Sequence, residues 1–281
     1  MEIKFFCPHW GSKQLDFKDF VKQVKNSGYD GVEMSLPLEV DEKQEMIDLI
    51  KQYGLLHIAQ HWETLTSNFD EHRLEFRKRL INLATARPLF INSQTGKDYF
   101  SFDQNAELIS IASEISREYQ VKIIHETHRG KFSFASHITA QYLSEIPDLQ
   151  LGLDISHWCN VAESYLTDQQ EVVKLAISRT EHIHARVGFP EGPQILDPRL
   201  PECQEALQFH LAWWKEVIEL KRNAGNSFFT ITPEFGPYPY MTVLPFTQQP
   251  LANQWEINVY MMNMLKLFFE SQPEKRQSPI E

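Results

Sequence analysis

The run VKIIHETH, residues 121–128, and the run LQLGLDISH, residues 149–157, follow one pattern. Each begins with closely spaced apolar residues typical of a buried β-strand, and each then reaches a carboxylate. The carboxylates are Glu126 in the first run and Asp154 in the second. The pattern predicts two buried strands that present oxygen donors where the strands end.

Two later runs extend this pattern. In EHIHARV, residues 181–187, His182 and His184 share one strand face because side chains alternate along a strand. FFTITPEF, residues 228–235, reaches Glu234 near its end. The four donors are 28, 30 and 50 residues apart, so no helix or local loop can gather them. They meet only if successive strands converge, as in a closed parallel barrel.

Eight apolar runs alternate with amphipathic stretches, which indicates repeated βα units. The strand candidates are IKFFC, DGVEM, LLHIAQ, PLFINS, VKIIHE, LQLGLD, EHIHARV and FFTITPEF. Dividing 281 residues by eight leaves about 35 per unit, enough for a strand, a helix and two loops. We therefore predict an α/β fold, a single (β/α)8 TIM barrel over residues 1–271, with a flexible tail at residues 272–281.

The stretches between the strands carry helix signals. Residues 16–28 form an amphipathic segment with Gly28 as its C-cap, and residues 70–86 show helical spacing. Asp103 is expected to be the N-cap of a helix that runs to Tyr119.

Two connections, Val187 to Pro201 and Gly236 to Asn253, are unusually long and follow donor-bearing strands. Long loops in compact domains are often lids or binding loops, so we expect both to cover the site.

Composition limits the partners and the cellular compartment that we expect for this protein. With 27 basic and 38 acidic residues the net charge is −11, which argues against nucleic acid or an anionic membrane as a partner. The three cysteines are unpatterned, which fits a reducing compartment better than a disulfide framework. No signal-peptide core or membrane-spanning run is evident, so we expect a cytoplasmic protein.

Three carboxylates and one imidazole, from Glu126, Asp154, His184 and Glu234, suit a divalent cation. We expect one ion, Mn²⁺, Mg²⁺, Co²⁺ or Zn²⁺, at the carboxyl ends of the strands. Taken singly, each donor has a plain structural alternative, such as a helix N-cap for Asp154. Four matching positions together favour the metal site.

The motifs GYDGVEM, NSQTGKDYF, HETHRGKFSF, LGLDISHW, HIHARVG and PEFGPYPY resemble those of the xylose isomerase-like superfamily of sugar phosphate isomerases and epimerases. These proteins are TIM barrels with one divalent metal. The resemblance implies that Glu126, Asp154, His184 and Glu234 hold the metal and that the two glutamates act as acid and base. It also implies that His157 contacts a substrate oxygen. Arg186 lies closer to His184 than the corresponding arginine of epimerases does.

Other residues are candidates for the pocket. We expect His157, Arg186, His61 and Trp10 to bind the substrate, with His9 and Gln60 as further polar groups. Aromatic residues near strand ends are candidate pocket walls: Trp10, Trp62, Trp158, Phe189 and Tyr238. Glu33 is expected to support the site from behind rather than to touch the substrate.

The expected activity is isomerisation or epimerisation of a small sugar or sugar phosphate, by proton transfer between the two glutamates through an enediolate. A metal-dependent dehydratase of an inosose-like substrate shares the first step and stays open. A non-catalytic sugar-binding barrel also stays open. A homo-oligomer is possible, and neither nucleic acid nor a membrane is expected as a partner.

The superfamily also contains DNA-repair endonucleases with three zinc ions, and these need additional histidines. Asn92 and Ser93 stand where a fourth-strand histidine would be expected. Asp197 is followed by Pro198 and Arg199 instead of completing an Asp-x-His pair. The sequence therefore disfavours a nuclease.

Overall fold

A computed structural model describes residues 1–271, and the tail expected at residues 272–281 lies outside them. The described strands are β1 (Glu2–Pro8), β2 (Gly31–Met34), β3 (Leu56–His61), β4 (Ile91–Ser93), β5 (Ile123–Glu126), β6 (Leu151–Leu153), β7 (Thr180–His184) and β8 (Phe228–Thr232). All neighbouring strands pair in parallel, and β8 pairs with β1 to close the barrel. The predicted TIM barrel is confirmed.

Helices cover the outside of the barrel. Within residues 1–271 they are α1 (Phe17–Asn26), α2 (Val40–Gln52), α3 (Phe69–Ala84), α4 (Phe102–Tyr119), α5 (Ser136–Glu145), α6 (Ser156–Val161), α7 (Gln170–Ser178), α8 (Gln204–Asn223) and α9 (Gln254–Glu270). The main apolar core lies between these helices and the strands. A smaller cluster of Phe6, Ile58, Phe90 and Ile124 is separate from it.

Side chains alternate along each strand, and neighbouring strands are in register. Polar side chains near the carboxyl ends of the strands therefore lie above this smaller cluster. Ile124 and Glu126 lie on one face of β5, and Ile58 pairs in register with Glu33 of β2. Gly31 makes room at the lower level, because a Cβ there would lie 2.5 Å from the Phe6 ring. The barrel interior is therefore apolar at one end and polar at the carboxyl end.

The helix ends correct one prediction. Asp103 was expected as the N-cap of α4, but Ser101 occupies that position and forms a capping box with Gln104. Ser101 accepts a hydrogen bond from the Gln104 amide while the Gln104 side chain accepts from the Ser101 amide, so Asp103 is left in the first turn. At the end of α1, Ser27 is the cap and Gly28 follows with φ +84°.

The two long connections meet at the carboxyl end of the barrel. The Gln194 side chain donates to the Gly236 carbonyl over 3.3 Å and accepts from the Gly236 amide over 2.7 Å. The loop after β7 is thereby attached to the loop after β8.

Among residues 1–271, no helix is both long and apolar enough to cross a bilayer. Cys7, Cys159 and Cys203 are buried free thiols.

Candidate metal centre and substrate cavity

The barrel brings the four predicted donors together. Glu126, Asp154, His184 and Glu234 each offer a ligand atom, and these atoms all lie within 4.8 Å of one another. All four residues are almost completely buried. Buried carboxylates in such a cluster repel one another, so a positive charge beside them or a proton on one of them stabilises the arrangement.

The orientation of His184 fits a metal ligand. Its Nε2–H donates to Glu33 Oε1 over 2.8 Å, which fixes the tautomer. Within the described chain its Nδ1 has no hydrogen-bond partner, although Glu234 Oε2 lies 2.9 Å away out of alignment. Adjacent ligand atoms of an octahedral ion with bonds near 2.1 Å are about 3 Å apart. The spacing and the free nitrogen match this donor set.

Glu33 supports His184 from inside the barrel. Its buried carboxylate accepts hydrogen bonds from His182 Nε2, His184 Nε2, Asn92 Nδ2 and the Thr232 hydroxyl. Burial alone would raise the pKa of Glu33, but His184 and His182 outweigh it and hold the pKa well below its usual value. Glu33 is thus an ionised anchor behind the candidate metal ligand, as the sequence indicated.

Asn92 occupies the space beside this anchor because residue 152 is glycine. A Cβ at Gly152 would lie 2.4 Å from Asn92 Oδ1. With this space the Asn92 amide nitrogen lies 3.0 Å from Glu33 and 3.5 Å from Glu126. The Asn92 amide therefore links the anchor to a candidate ligand.

Arg186 enters the carboxylate cluster itself. Its Nε donates to Asp154 Oδ2 over 3.1 Å, and its Nη2 donates to Glu234 Oε2. The guanidinium lies over the rings of Tyr240 and Trp10, 4.5 Å and 5.3 Å from their centroids. Arg186 therefore joins two candidate metal ligands to the aromatic wall of the cavity.

The pKa values of the two glutamates shift in opposite directions. Burial raises the pKa of Glu126 to about 8. Burial would also raise the pKa of Glu234, but His184 and Arg186 outweigh it and lower the pKa to about 2. Two carboxyl groups whose environments separate their pKa values in this way suit an acid and a base.

A cavity of about 260 Å³ opens beside this cluster. Its lining is His9, Trp10, Lys13, Met34, Ser35, Gln60, Trp62, Gln94, His128, Arg186, Glu234 and Tyr240. Of the four candidate metal ligands, only Glu234 lines it. Gln60 and Gln94 donate to Glu234 and Glu126 over 3.2 Å and 3.1 Å, so the cavity reaches both glutamates directly or through one amide.

The expected substrate-binding residues separate into two groups. Arg186 and Trp10 line the cavity. His157 lies behind it, with Nε2 3.5 Å from Asp154 Oδ2 and its ring 4.0 Å from the His128 ring. Both His157 ring nitrogens lack a hydrogen-bond partner in the described chain.

The placement of His61 contradicts its expected substrate-binding role. His61 is fully buried, and its two ring nitrogens bond to Ser93 Oγ at 3.0 Å and Thr64 Oγ1 at 2.8 Å. Its ring packs edge-on against Phe76 of α3. Because side chains alternate along β3, Gln60 faces the cavity while His61 faces the helices.

Substitutions at the adjacent residues Gln60 and His61 test which of the two side chains faces the cavity. We expect Gln60→Ala to raise the KM for the substrate, because it removes a cavity amide that contacts Glu234. We expect His61→Ala to leave KM unchanged and to lower the free energy of unfolding by about 1–3 kcal/mol, because buried hydroxyls lose their partner. Steady-state kinetics and urea unfolding measure the two effects. A rise in KM for His61→Ala comparable to that for Gln60→Ala would contradict the placement.

The predicted aromatic wall was partly wrong. Trp10 and Trp62 line the cavity, but Trp158 is buried behind the site, where its Nε1 donates to the Ser133 carbonyl over 2.8 Å. Phe189 is outside the lining and pairs with Gly192 within its own loop.

Tyr238 was also expected in the wall, but it is 64% exposed and lies outside the lining. Tyr240 takes the place beside Trp10, with ring centroids 5.1 Å apart. The course of an irregular loop, which no periodicity reveals, decides between the two tyrosines.

Sequence reasoning also missed His128 and Gln94 as cavity residues. His128 lies two residues beyond Glu126, so continued strand alternation was a usable signal for it. Burial lowers the pKa of His128 to about 3, with Arg186 acting in the same direction, so its ring is neutral. Gln94 had no comparable signal, because it follows β4 in irregular chain.

No protein-family model matches the chain, and no curated protein matches it in sequence. Solved structures match its fold over nearly their whole length. A xylose isomerase domain containing protein from Salmonella typhimurium LT2 has a TM-score of 0.63 and 13% identity, with 95% of this chain and 97% of that chain covered.

Two further matches are enzymes by name. The 3-keto-D-glucoside 4-epimerase YcjR from E. coli has a TM-score of 0.60, 13% identity and coverage of 95% and 100%. The probable 3-DHS dehydratase AsbF from Bacillus anthracis has a TM-score of 0.58, 15% identity and coverage of 95% and 99%. The predicted resemblance to xylose isomerase-like barrels is confirmed at the level of the fold.

Proposed function

We propose that this protein is a divalent-metal-dependent isomerase or epimerase of a small sugar or sugar phosphate. The observation that carries the proposal is the buried cluster of Glu126, Asp154, His184 and Glu234 beside a cavity. Barrel enzymes place their chemistry at this end of the strands. The neighbouring folds include a sugar epimerase, which supports the choice of substrate class.

The four donors would hold Mn²⁺, Mg²⁺, Co²⁺ or Zn²⁺. When bound, such an ion would stabilise negative charge on the substrate oxygens next to the reacting carbon. The chain supplies the proton transfer. Glu234 lines the cavity and is ionised, so it is the base that removes the carbon-bound proton. Glu126, which the cavity reaches through the Gln94 amide, is the group that returns a proton.

Other residues bind and orient the substrate. Arg186 offers hydrogen-bond donors at the cavity, and Gln60 holds Glu234 in position. Neutral His128 offers Nε2 as an acceptor, because its Nδ1–H donates to the Arg129 carbonyl. Trp10, Trp62 and Tyr240 supply flat apolar surfaces for the C–H faces of a sugar. The cavity volume of about 260 Å³ suits a small ligand of this kind.

Metal analysis followed by proton exchange tests this function. The protein, stripped with a chelator and reloaded with each metal, is incubated with a panel of ketoses and ketose phosphates in D₂O. We expect metal-dependent deuterium incorporation at the carbon next to the carbonyl, with no loss of water. Loss of water from the substrate would instead identify a dehydratase. Ligand binding without exchange across the panel would reject an enzyme.

The positive charge of Lys13 at the cavity provides a test that separates phosphorylated from neutral sugars as substrates. The Lys13 ammonium lines the cavity and lies 4.8 Å from the centroid of the Trp62 ring. We expect Lys13→Met to lower kcat/KM about tenfold for phosphorylated members of the panel and to leave neutral members unchanged. Lys18→Met, an exposed lysine on α1, is the matched control. Equal losses for both kinds of sugar would reject a phosphate contact at Lys13.

A further inference from the structure

Arg186 and the candidate metal depend on the same carboxylate oxygens. Glu234 Oε2 accepts from Arg186 Nη2 and also lies 2.9 Å from His184 Nδ1, the free ligand nitrogen. Asp154 Oδ2 accepts from Arg186 Nε over 3.1 Å. The guanidinium thus contacts one carboxylate oxygen of each of two candidate ligands.

The remaining oxygens of these two ligands already have partners. Asp154 Oδ1 accepts from the Ser156 amide over 3.1 Å and from the Ser156 hydroxyl. Glu234 Oε1 accepts from Gln60 over 3.2 Å. A metal that binds either carboxylate must therefore share an oxygen that already accepts a hydrogen bond, and Arg186 contacts one oxygen of each residue.

We propose that Arg186 is a built-in counter-cation that competes with the metal for Asp154 and Glu234 and thereby weakens metal binding. This inference rests on the metal site of the proposed function. An arginine stays charged at any working pH, so the competition is permanent. The guanidinium already places a positive charge against Asp154 and Glu234, so a divalent ion that binds these carboxylates meets a like charge at close range.

The sequence position of Arg186 explains why its side chain reaches these carboxylates. It lies two residues after His184, so alternation carries its side chain to the same interior face. Its guanidinium is confined there by Tyr240 and Trp10, and Gly236 allows the Trp10 ring to approach, because a Cβ at Gly236 would lie 2.1 Å from that ring. The contact is therefore held by packing on the side away from the carboxylates.

Metal affinity of the purified protein tests the proposal without any substrate. Chelator-treated wild type, Arg186→Met and Arg186→Lys are titrated calorimetrically with Mg²⁺ and, against a competing chelator, with Zn²⁺. We expect Arg186→Met to bind each metal at least about tenfold more tightly than wild type, because a cation close to the ion is removed. Arg186→Lys, which keeps the charge but loses the planar fork, should change affinity less.

Arg199→Met is the matched control. Arg199 also pairs with an aspartate, Asp197, and also lies over an aromatic ring, that of Tyr260, but it is outside the cavity lining. We expect its metal affinity to equal that of wild type. Unchanged or weaker binding by Arg186→Met, with wild type binding normally, overturns the role of Arg186 alone. Absence of binding by wild type and every variant overturns the metal site and the proposed function with it.

A measurement on the wild type decides the matter if Arg186→Met does not fold. The Nε–H resonance of Arg186, assigned by its loss in Arg186→Lys, is followed during titration with diamagnetic Mg²⁺ or Zn²⁺. We expect exchange of this proton with solvent to become faster as metal binds, because the hydrogen bond to Asp154 is weakened. Unchanged or slower exchange in the metal-bound protein overturns the competition.

Discussion

Glu234→Gln should lower kcat by about 10³-fold or more while the protein stays folded, because positioned acid–base groups contribute 10²–10⁴-fold. The substitution removes a negatively charged metal donor and the proposed base in one step. It keeps the side-chain volume and leaves an amide oxygen that can accept from Arg186, which now donates to Oε2. We also expect weaker metal binding, by at least about tenfold.

Deuterium exchange into the substrate and calorimetric metal titration measure these two losses separately. Glu191→Gln is the control, since Glu191 is an exposed glutamate in the loop after β7 and does not line the cavity. Full exchange activity in Glu234→Gln would show that the base lies elsewhere. Loss of activity with unchanged metal affinity would keep the base and remove Glu234 from the metal ligands.

Glu33→Ala should have the largest effect on stability, a loss of about 3–5 kcal/mol in the free energy of unfolding. The carboxylate is 1% exposed and accepts hydrogen bonds from two histidines, an asparagine and a threonine. Removing it leaves these buried donors without an acceptor and leaves His184 without its orienting partner. Metal affinity should also fall by about 10–100-fold, as for other groups that orient a metal-bound histidine.

Urea unfolding with and without metal measures the first effect, and calorimetry measures the second. Glu33→Gln keeps one acceptor oxygen, so it should retain more stability than Glu33→Ala and remain usable if the alanine variant does not fold. Glu114→Ala removes an exposed glutamate that pairs with Arg77 over 3.0 Å, and it should change stability by no more than about 1 kcal/mol. Equal stability of Glu33→Ala and Glu114→Ala would contradict the anchoring role.

Local sequence patterns were sufficient for the barrel. The eight predicted strands all form, because each apolar run is long enough to identify and too short for a buried helix. Boundaries were less secure: the N-cap of α4 is Ser101 instead of Asp103. Hydrophobic periodicity locates the buried part of an element, whereas its first residue depends on a few hydrogen bonds.

The candidate ligands were also accessible to sequence reasoning, because the same β-strand pattern precedes Glu126, Asp154 and Glu234 and contains His184. Side-chain direction was harder to predict. His61 and Gln60 are adjacent, and only the register of β3 in the closed barrel decides which of them faces the cavity. A shift of one residue exchanges the two faces of a strand.

What the sequence by itself determined is the eightfold barrel and a set of candidate donors at its carboxyl end, because both follow from short-range apolar patterns and from the direction of parallel strands. Only the tertiary structure decided which contacts the groups around those donors make. Glu33, Asn92 and Arg186 come from three different strands or strand ends, and Tyr240 comes from an irregular loop. Their contacts depend on barrel closure and on the space left at Gly152, which are properties of the packed chain.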